Sequence, residues 1–137
     1  MKRLTNPPEC RKITDKHLTY FTFDADEWFA KEENYALVEG ENIAFAEYKS
    51  PGVYWVHFCF DEARGREAVI LTERIFTEFC RVRSVKMVIG FITLGNRKAR
   101  WLIRQAGFNS LGEILTEIGM CEMFFKLPDN SLFMKES

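Results

Sequence analysis

The chain has 137 residues and 16.1 kDa, with 47% hydrophobic, 15% aromatic and 28% charged residues. This excludes intrinsic disorder and favours a single domain over 1–137 with a packed core. Net charge is −1, which argues against a general nucleic-acid binder. No apolar run approaches the ~20 residues of a membrane-spanning helix, so no membrane partner is expected.

Residues 1–20 form an N-terminal arm, made stiff by Asn6-Pro7-Pro8. The Tyr20-Phe21-Thr22-Phe23 run that follows reads equally as a strand or a docking segment. Asp24 is placed to cap a short helix through Glu32, with Trp28 and Phe29 on its buried side. Tyr35–Val38, Ile43–Tyr48 and Val53–Phe60 are β-like runs separated by turn residues, which predicts an antiparallel meander. The third run is apolar on both faces and predicts a central strand covered on each side.

After a turn at 61–66 the apolar period becomes helical, with Ala68, Leu71, Ile75, Phe79 and Val82 as the stripe and Ile70 and Phe76 broadening it. Val85–Ile92 is a further buried strand, so strand, helix and strand form a βαβ unit with parallel strands. Asn96 is a candidate N-cap for a helix whose stripe is Ala99, Leu102, Ile103 and Ala106, and Gly107 suits its left-handed end. Glu113–Thr116 and Cys121–Leu127, joined through Ile118-Gly119-Met120, predict a closing hairpin. The fold class is therefore α+β: a mixed, mostly antiparallel sheet with a central βαβ unit, helices packed against it and a C-terminal hairpin.

Four scattered cysteines (Cys10, Cys59, Cys80, Cys121) and two histidines suggest neither zinc nor disulfides, and imply a reducing compartment. Seven basic residues and no acidic one lie between Arg81 and Arg104, a face suited to an acidic surface or nucleic acid. Its members are Arg81, Arg83, Lys86, Arg97, Lys98, Arg100 and Arg104, the last four expected largely on the outer side of their helix. The turn Asp61–Arg66 opens a helix after a buried strand, where unpaired N–H groups and the dipole favour phosphate. Arg64 and Arg66 add charge there, and Gly65 permits close backbone approach.

Arg64-Gly65-Arg66 is similar to the start of the R-G-x-G-x-G/A pyrophosphate loop of the GNAT superfamily of acyl-CoA-dependent N-acetyltransferases. Asn96-x-x-Ala99-x-x-Leu102, followed by Gly107-Phe108, resembles that superfamily's second signature. The likeness spans roughly residues 34–127. The segment from Gly52 to Arg66 looks particularly like GNAT-type proteins of tailed bacteriophages, several of which, in short-tailed phages, are implied to serve head assembly. The resemblance implies, if acyl-CoA binds, contacts from Phe58, Phe60, Arg64, Gly65, Arg66, Ala68 and Asn96. His57 is the candidate catalytic base, ahead of Glu47 and Glu62, because an imidazole near pKa 6.5 suits deprotonation of an amine.

Three positions depart from the signatures. Glu67 stands where the loop has glycine, Val69 where it has a small residue, and Ile103 where the superfamily has a tyrosine acid. A like-charge contact at ~4 Å and an effective dielectric of ~20 costs about 4 kcal/mol. That exceeds the ~0.3–1 kcal/mol a helix dipole supplies. These departures predict a non-catalytic protein acting in virion head assembly or as a virion-associated adaptor, with phage proteins as partners, no required cofactor, and a place in the host cytoplasm or virion. The alternative is an acetyl-CoA-dependent N-acetyltransferase acting on an unknown amine.

Overall fold

The computed structural model describes residues 1–5 and 25–128. Asp24, Cys10, Asn6-Pro7-Pro8 and the Tyr20–Phe23 run lie outside them.

The elements are β1 (Lys2–Leu4), α1 (Ala25–Ala30), β2 (Tyr35–Glu39), β3 (Asn42–Ser50), β4 (Val53–Phe60), α2 (Gly65–Val82), β5 (Met87–Thr93), α3 (Arg97–Gln105), β6 (Asn109–Thr116) and β7 (Gly119–Lys126). They build one seven-stranded sheet in the order β1-β2-β3-β4-β5-β7-β6. Among the described strands only β4 and β5 pair in parallel, as the strand-helix-strand pattern predicts. The meander β2-β3-β4 and the hairpin β6-β7 are antiparallel.

Alternation along the strands sends apolar side chains to both faces. On one face Tyr54, Val56, Val88 and Phe124 meet Leu71, Ile75, Phe76 and Phe79 of α2, with Ile103 and Ala106 of α3 and the following Phe108. Each fully buried Val, Leu, Ile or Phe among them is worth roughly 1.5–3 kcal/mol. On the other face Ala36, Ile43, Phe45 and Cys59 pack with Leu4 beneath Trp28 of α1. Asn34, itself buried, ties the two layers: its Nδ2 donates to Trp28 O at 2.8 Å and its Oδ1 accepts from Tyr48 N at 2.9 Å.

The α3 end follows from its residues. Asn96 Oδ1 accepts from Ala99 N at 3.2 Å, as the cap reading predicts. Gly107 takes φ +90°, so its N–H reaches Arg104 O and the Phe108 N–H reaches Ile103 O, closing the last turn.

Four expectations need correction. Ile70 is 46% exposed and does not broaden the α2 stripe. β4 is central, but Trp55 and His57 are only half-buried, because the cluster under α1 covers that face only around Ile43, Phe45 and Cys59. β6 starts at Asn109 rather than Glu113: it is an edge strand, exposed over almost its whole length, so no apolar alternation marks its start. The basic residues do not share one face. Arg81, Arg83 and Lys86 precede β5 while the other four follow it, and a seven-residue strand of roughly 20 Å separates the groups.

Candidate functional site

The site originates in a parting of strands. β4 and β5 pair only at Val53–Met87, Tyr54–Val88 and Trp55–Ile89, and beyond these residues they diverge. Between them lies a cleft of about 820 Å³, within the range of small-molecule and cofactor sites. Val56 to Phe60 form one wall and Gly90 to Thr93 the other. The β4–α2 loop closes one end with Ala63, Arg64 and Gly65, and α3 contributes Asn96, Arg97, Lys98, Trp101 and Ile103. Asp61 N donates to Glu41 O, so the odd residues of β4 bond toward β3. By strand alternation the backbone groups of Val56, Phe58 and Phe60 face the cleft.

The loop is held by two residues. Asn42, buried at 6% exposure, accepts at Oδ1 from Glu62 N and Ala63 N, both at 3.0 Å, and donates from Nδ2 to Glu39 O at 3.1 Å. Arg64 Nη1 donates to Phe60 O at 3.3 Å and Ala63 O at 3.0 Å. The loop's turn residue Gly65 has φ +53°, and a side chain there would meet open space, so backbone lies bare to the cleft. The α2 N-cap, Arg64, supplies no side-chain acceptor. The N–H groups of Gly65 and Arg66 have no partner among the described residues. An 18-residue helix thus presents its positive end, uncapped, at the mouth of the cleft.

Most of the expected ligand contacts line the cleft: Phe58, Phe60, Arg64, Gly65, Ala68 and Asn96. Arg66 does not; its side chain is exposed beyond the wall, because the residue after Gly65 turns outward on the helix. The same is true of Glu67, the residue expected to repel pyrophosphate. Val69 packs against the core under α2 and does not narrow the approach. Of the three departures only Ile103 reaches the cleft, buried at 4% exposure.

His57 lines the cleft from the face of β4 opposite α2. Burial holds its imidazole below the usual histidine value; Glu47 pulls it back up, and Lys49 lowers it. The imidazole is therefore neutral at pH 7. Glu47 and Glu62 lie outside the cleft wall. Glu47 pairs with Lys49 at 2.5 Å, and Glu62 Oε1 accepts from Glu41 N at 3.0 Å.

Among the described residues no cysteine is poised as a nucleophile. Cys59 and Cys121 are buried, and burial pushes the Cys80 thiol up to about 11. Among the described residues no group of three or more His, Cys, Asp or Glu could hold a metal ion. None of their helices is long and apolar enough to cross a membrane.

Asn42 and Trp101 were not singled out in the sequence. Asn42 reads there as an ordinary turn residue, and its loop contact spans 20 residues of chain. Arg97 and Lys98 read as outward-facing, whereas both line the cleft; it is Arg100 and Arg104 that turn away, onto buried Glu122 at 2.8 and 2.5 Å.

No protein-family profile matches the chain, and no curated protein matches it in sequence. Solved structures do. A variant of the spermidine N-acetyltransferase SpeG from Vibrio cholerae superposes with a TM-score of 0.73 at 12% identity, covering 98% of each chain. Aminoglycoside acetyltransferase AAC(6')-Ib, in complex with coenzyme A and kanamycin, gives 0.63 at 15% identity, covering 91% of this chain and 90% of that one. A ribosomal-protein-S5-alanine acetyltransferase from Vibrio fischeri gives 0.58 at 12% identity over 65% of this chain and 55% of its own. These neighbours are acetyltransferases, and the expected likeness to phage virion proteins finds no support among them. Strand order, the β4–β5 parting and these superpositions together make this the GNAT fold.

Proposed function

We propose that the chain is an acyl-CoA-dependent N-acetyltransferase. The observation that carries this reading is the open divergence of β4 from β5 directly beside an uncapped α2 N-terminus. Neither feature is needed to hold the core together, and both suit a long ligand with a phosphate at one end. The residues present fit acetyl-CoA. Gly65 and Arg66 N–H groups meet the pyrophosphate, and Arg64 adds charge. The outward backbone of Val56 and Phe58 pairs with the amides of the pantetheine arm, and Asn96, whose Oδ1 caps α3, lines the cleft from the α3 side. Acetyl-CoA supplies an acyl group on a thioester, whose C–S bond breaks as the new amide bond forms.

His57 accepts the proton of the incoming amine. Its imidazole is neutral at working pH and sits on the cleft wall, where burial keeps it so. Ile103 is aliphatic and donates nothing, so the proton on the released thiol derives from the amine. Glu67 faces away and does not oppose binding, which removes the electrostatic reason for an inert scaffold.

The test is incubation with acetyl-CoA and a panel of amines: spermidine, kanamycin, and a peptide with N-terminal alanine, the acceptor types named for the neighbours. Free thiol release with a product 42 Da heavier by mass spectrometry, about the mass an acetyl group adds to an amine, is the expected outcome for at least one class. Absence of both at millimolar acetyl-CoA across the panel, together with no binding of the thioester, overturns the proposal.

A further inference from the structure

The two edges of the described sheet differ. β1 is three residues long and exposes Lys2 and Arg3, which discourages another strand from adding there. β6 is eight residues long, exposed at seven of them, and has no lysine, arginine or proline. Ile114 is 42% and Leu115 73% exposed at its middle. Free backbone beside bare apolar side chains is a template for strand addition. Which backbone groups are free follows from β7. Met120 O accepts from Leu94 N at 3.2 Å, so Met120, and by alternation Glu122, bond toward β5. Leu115 and Glu113, which stand opposite them on β6, therefore turn their N–H and C=O groups to the open edge.

We propose that a second copy of this chain covers β6, the two strands pairing antiparallel about a two-fold axis at Ile114. Glu113 of each copy then exchanges backbone hydrogen bonds with Leu115 of the other, and the two Ile114 residues meet with Cα atoms roughly 4.5 Å apart. Charge selects this register, because outward residues pair only with outward residues and the alternatives are few. An axis at Glu113 sets that carboxylate against its own copy, and an axis at Leu115 sets it against Glu117. Like charges directly opposite destabilise a sheet. An axis at Gly112 runs the pairing into the irregularity between Ser110 and Gly112. Around Ile114 each Glu113 faces a leucine, and a net charge of −1 leaves little repulsion between copies. The pair closes on itself and leaves only the short, cationic β1 at either end. No β6 residue lines the cleft, so the pairing is independent of the acyl-CoA reading.

Analytical sedimentation of the full chain over rising protein concentration tests this. The parent should pass from 16.1 kDa to twice that mass and no further. Leu115→Lys and Leu115→Glu lose the same leucine and differ in the charge they set against Glu113 of the other copy. That contact occurs twice by symmetry, so Leu115→Lys should associate at least about tenfold more tightly than Leu115→Glu. The same two substitutions at Ile70, exposed on α2, should associate alike and separate the pairing from net charge. Ile114→Lys sets two ammonium groups face to face and should weaken association at least about tenfold. All three positions are exposed, and circular dichroism reports that each variant is folded. A monomeric parent at every concentration, equal association of the two Leu115 variants, or an undisturbed dimer in Ile114→Lys overturns the proposal.

Discussion

Substituting Asn42→Ala tests how the candidate site is held in place. Asn42 makes three hydrogen bonds of 3.0, 3.0 and 3.1 Å, two of them to loop N–H groups and one to Glu39 O. Each is worth about 1 kcal/mol net, and a donor left unsatisfied costs about 1–3 kcal/mol if water cannot reach it. Glu62 is exposed and Ala63 half-buried, so water reaches part of the loop and the lower values apply. The expected loss is about 2–4 kcal/mol, a substantial share of the ~5–15 kcal/mol typical of a domain. At this chain length that lowers the melting temperature by about 6–12 °C. Asn42→Asp keeps an acceptor for both loop N–H groups and loses only the donor, so its cost should be about half. Both are read by thermal melts, with acetyl-CoA titration on the folded variants, where Asn42→Ala should bind about tenfold more weakly because Gly65 is no longer positioned. A melting temperature within 2 °C of the parent, where the loop's loss should give at least 6, would refute the anchoring role.

Glu67→Gly should leave acetyl-CoA affinity within about twofold, since the carboxylate lies outside the cleft, and should cost about 0.5–1 kcal/mol from helix propensity alone; a large gain in affinity would show that Glu67 does reach the ligand. His57 binds its proton less readily folded than unfolded, so stability falls as pH drops below about 6.5, where the unfolded chain takes up the proton first. His57→Gln should therefore lose less melting temperature than the parent between neutral pH and pH 5, and parallel curves would contradict this. Glu122 is buried and accepts from two arginines, whereas Glu78 pairs with Arg81 at the surface. Glu122→Gln should lower the melting temperature by several degrees and Glu78→Gln hardly at all; equal effects would refute the ranking.

The fold was legible wherever one residue pattern has one physical outcome. Val53–Phe60 is the observed β4 to the residue, because its β-rich run is bounded by Pro51-Gly52 and by the polar turn. Asn96 and Gly107 mark the ends of α3 because a short polar acceptor and a positive φ are local requirements. The β6 start was not legible, since an exposed edge strand has no apolar alternation to show. Within the site, residues on the chain's own signatures were found, but their orientations were not. Whether Glu67 or Arg97 faces the cleft depends on how α2 and α3 rotate against the sheet, which core side chains such as Ala68 and Ile103 decide. The same rotation reverses the expected roles within α3: Arg97 and Lys98 face the ligand wall, and Arg100 and Arg104 serve structure.

Titrating acetyl-CoA into the intact protein by calorimetry, with a Gly65→Val variant beside it, tests the central claim most directly. A β-branched side chain at φ +53° both strains the turn and fills the space over the bare N–H groups. The account predicts one saturable site per chain in the parent and loss of most of that affinity in the variant. No heat and no thermal stabilisation of the parent at millimolar ligand would contradict it.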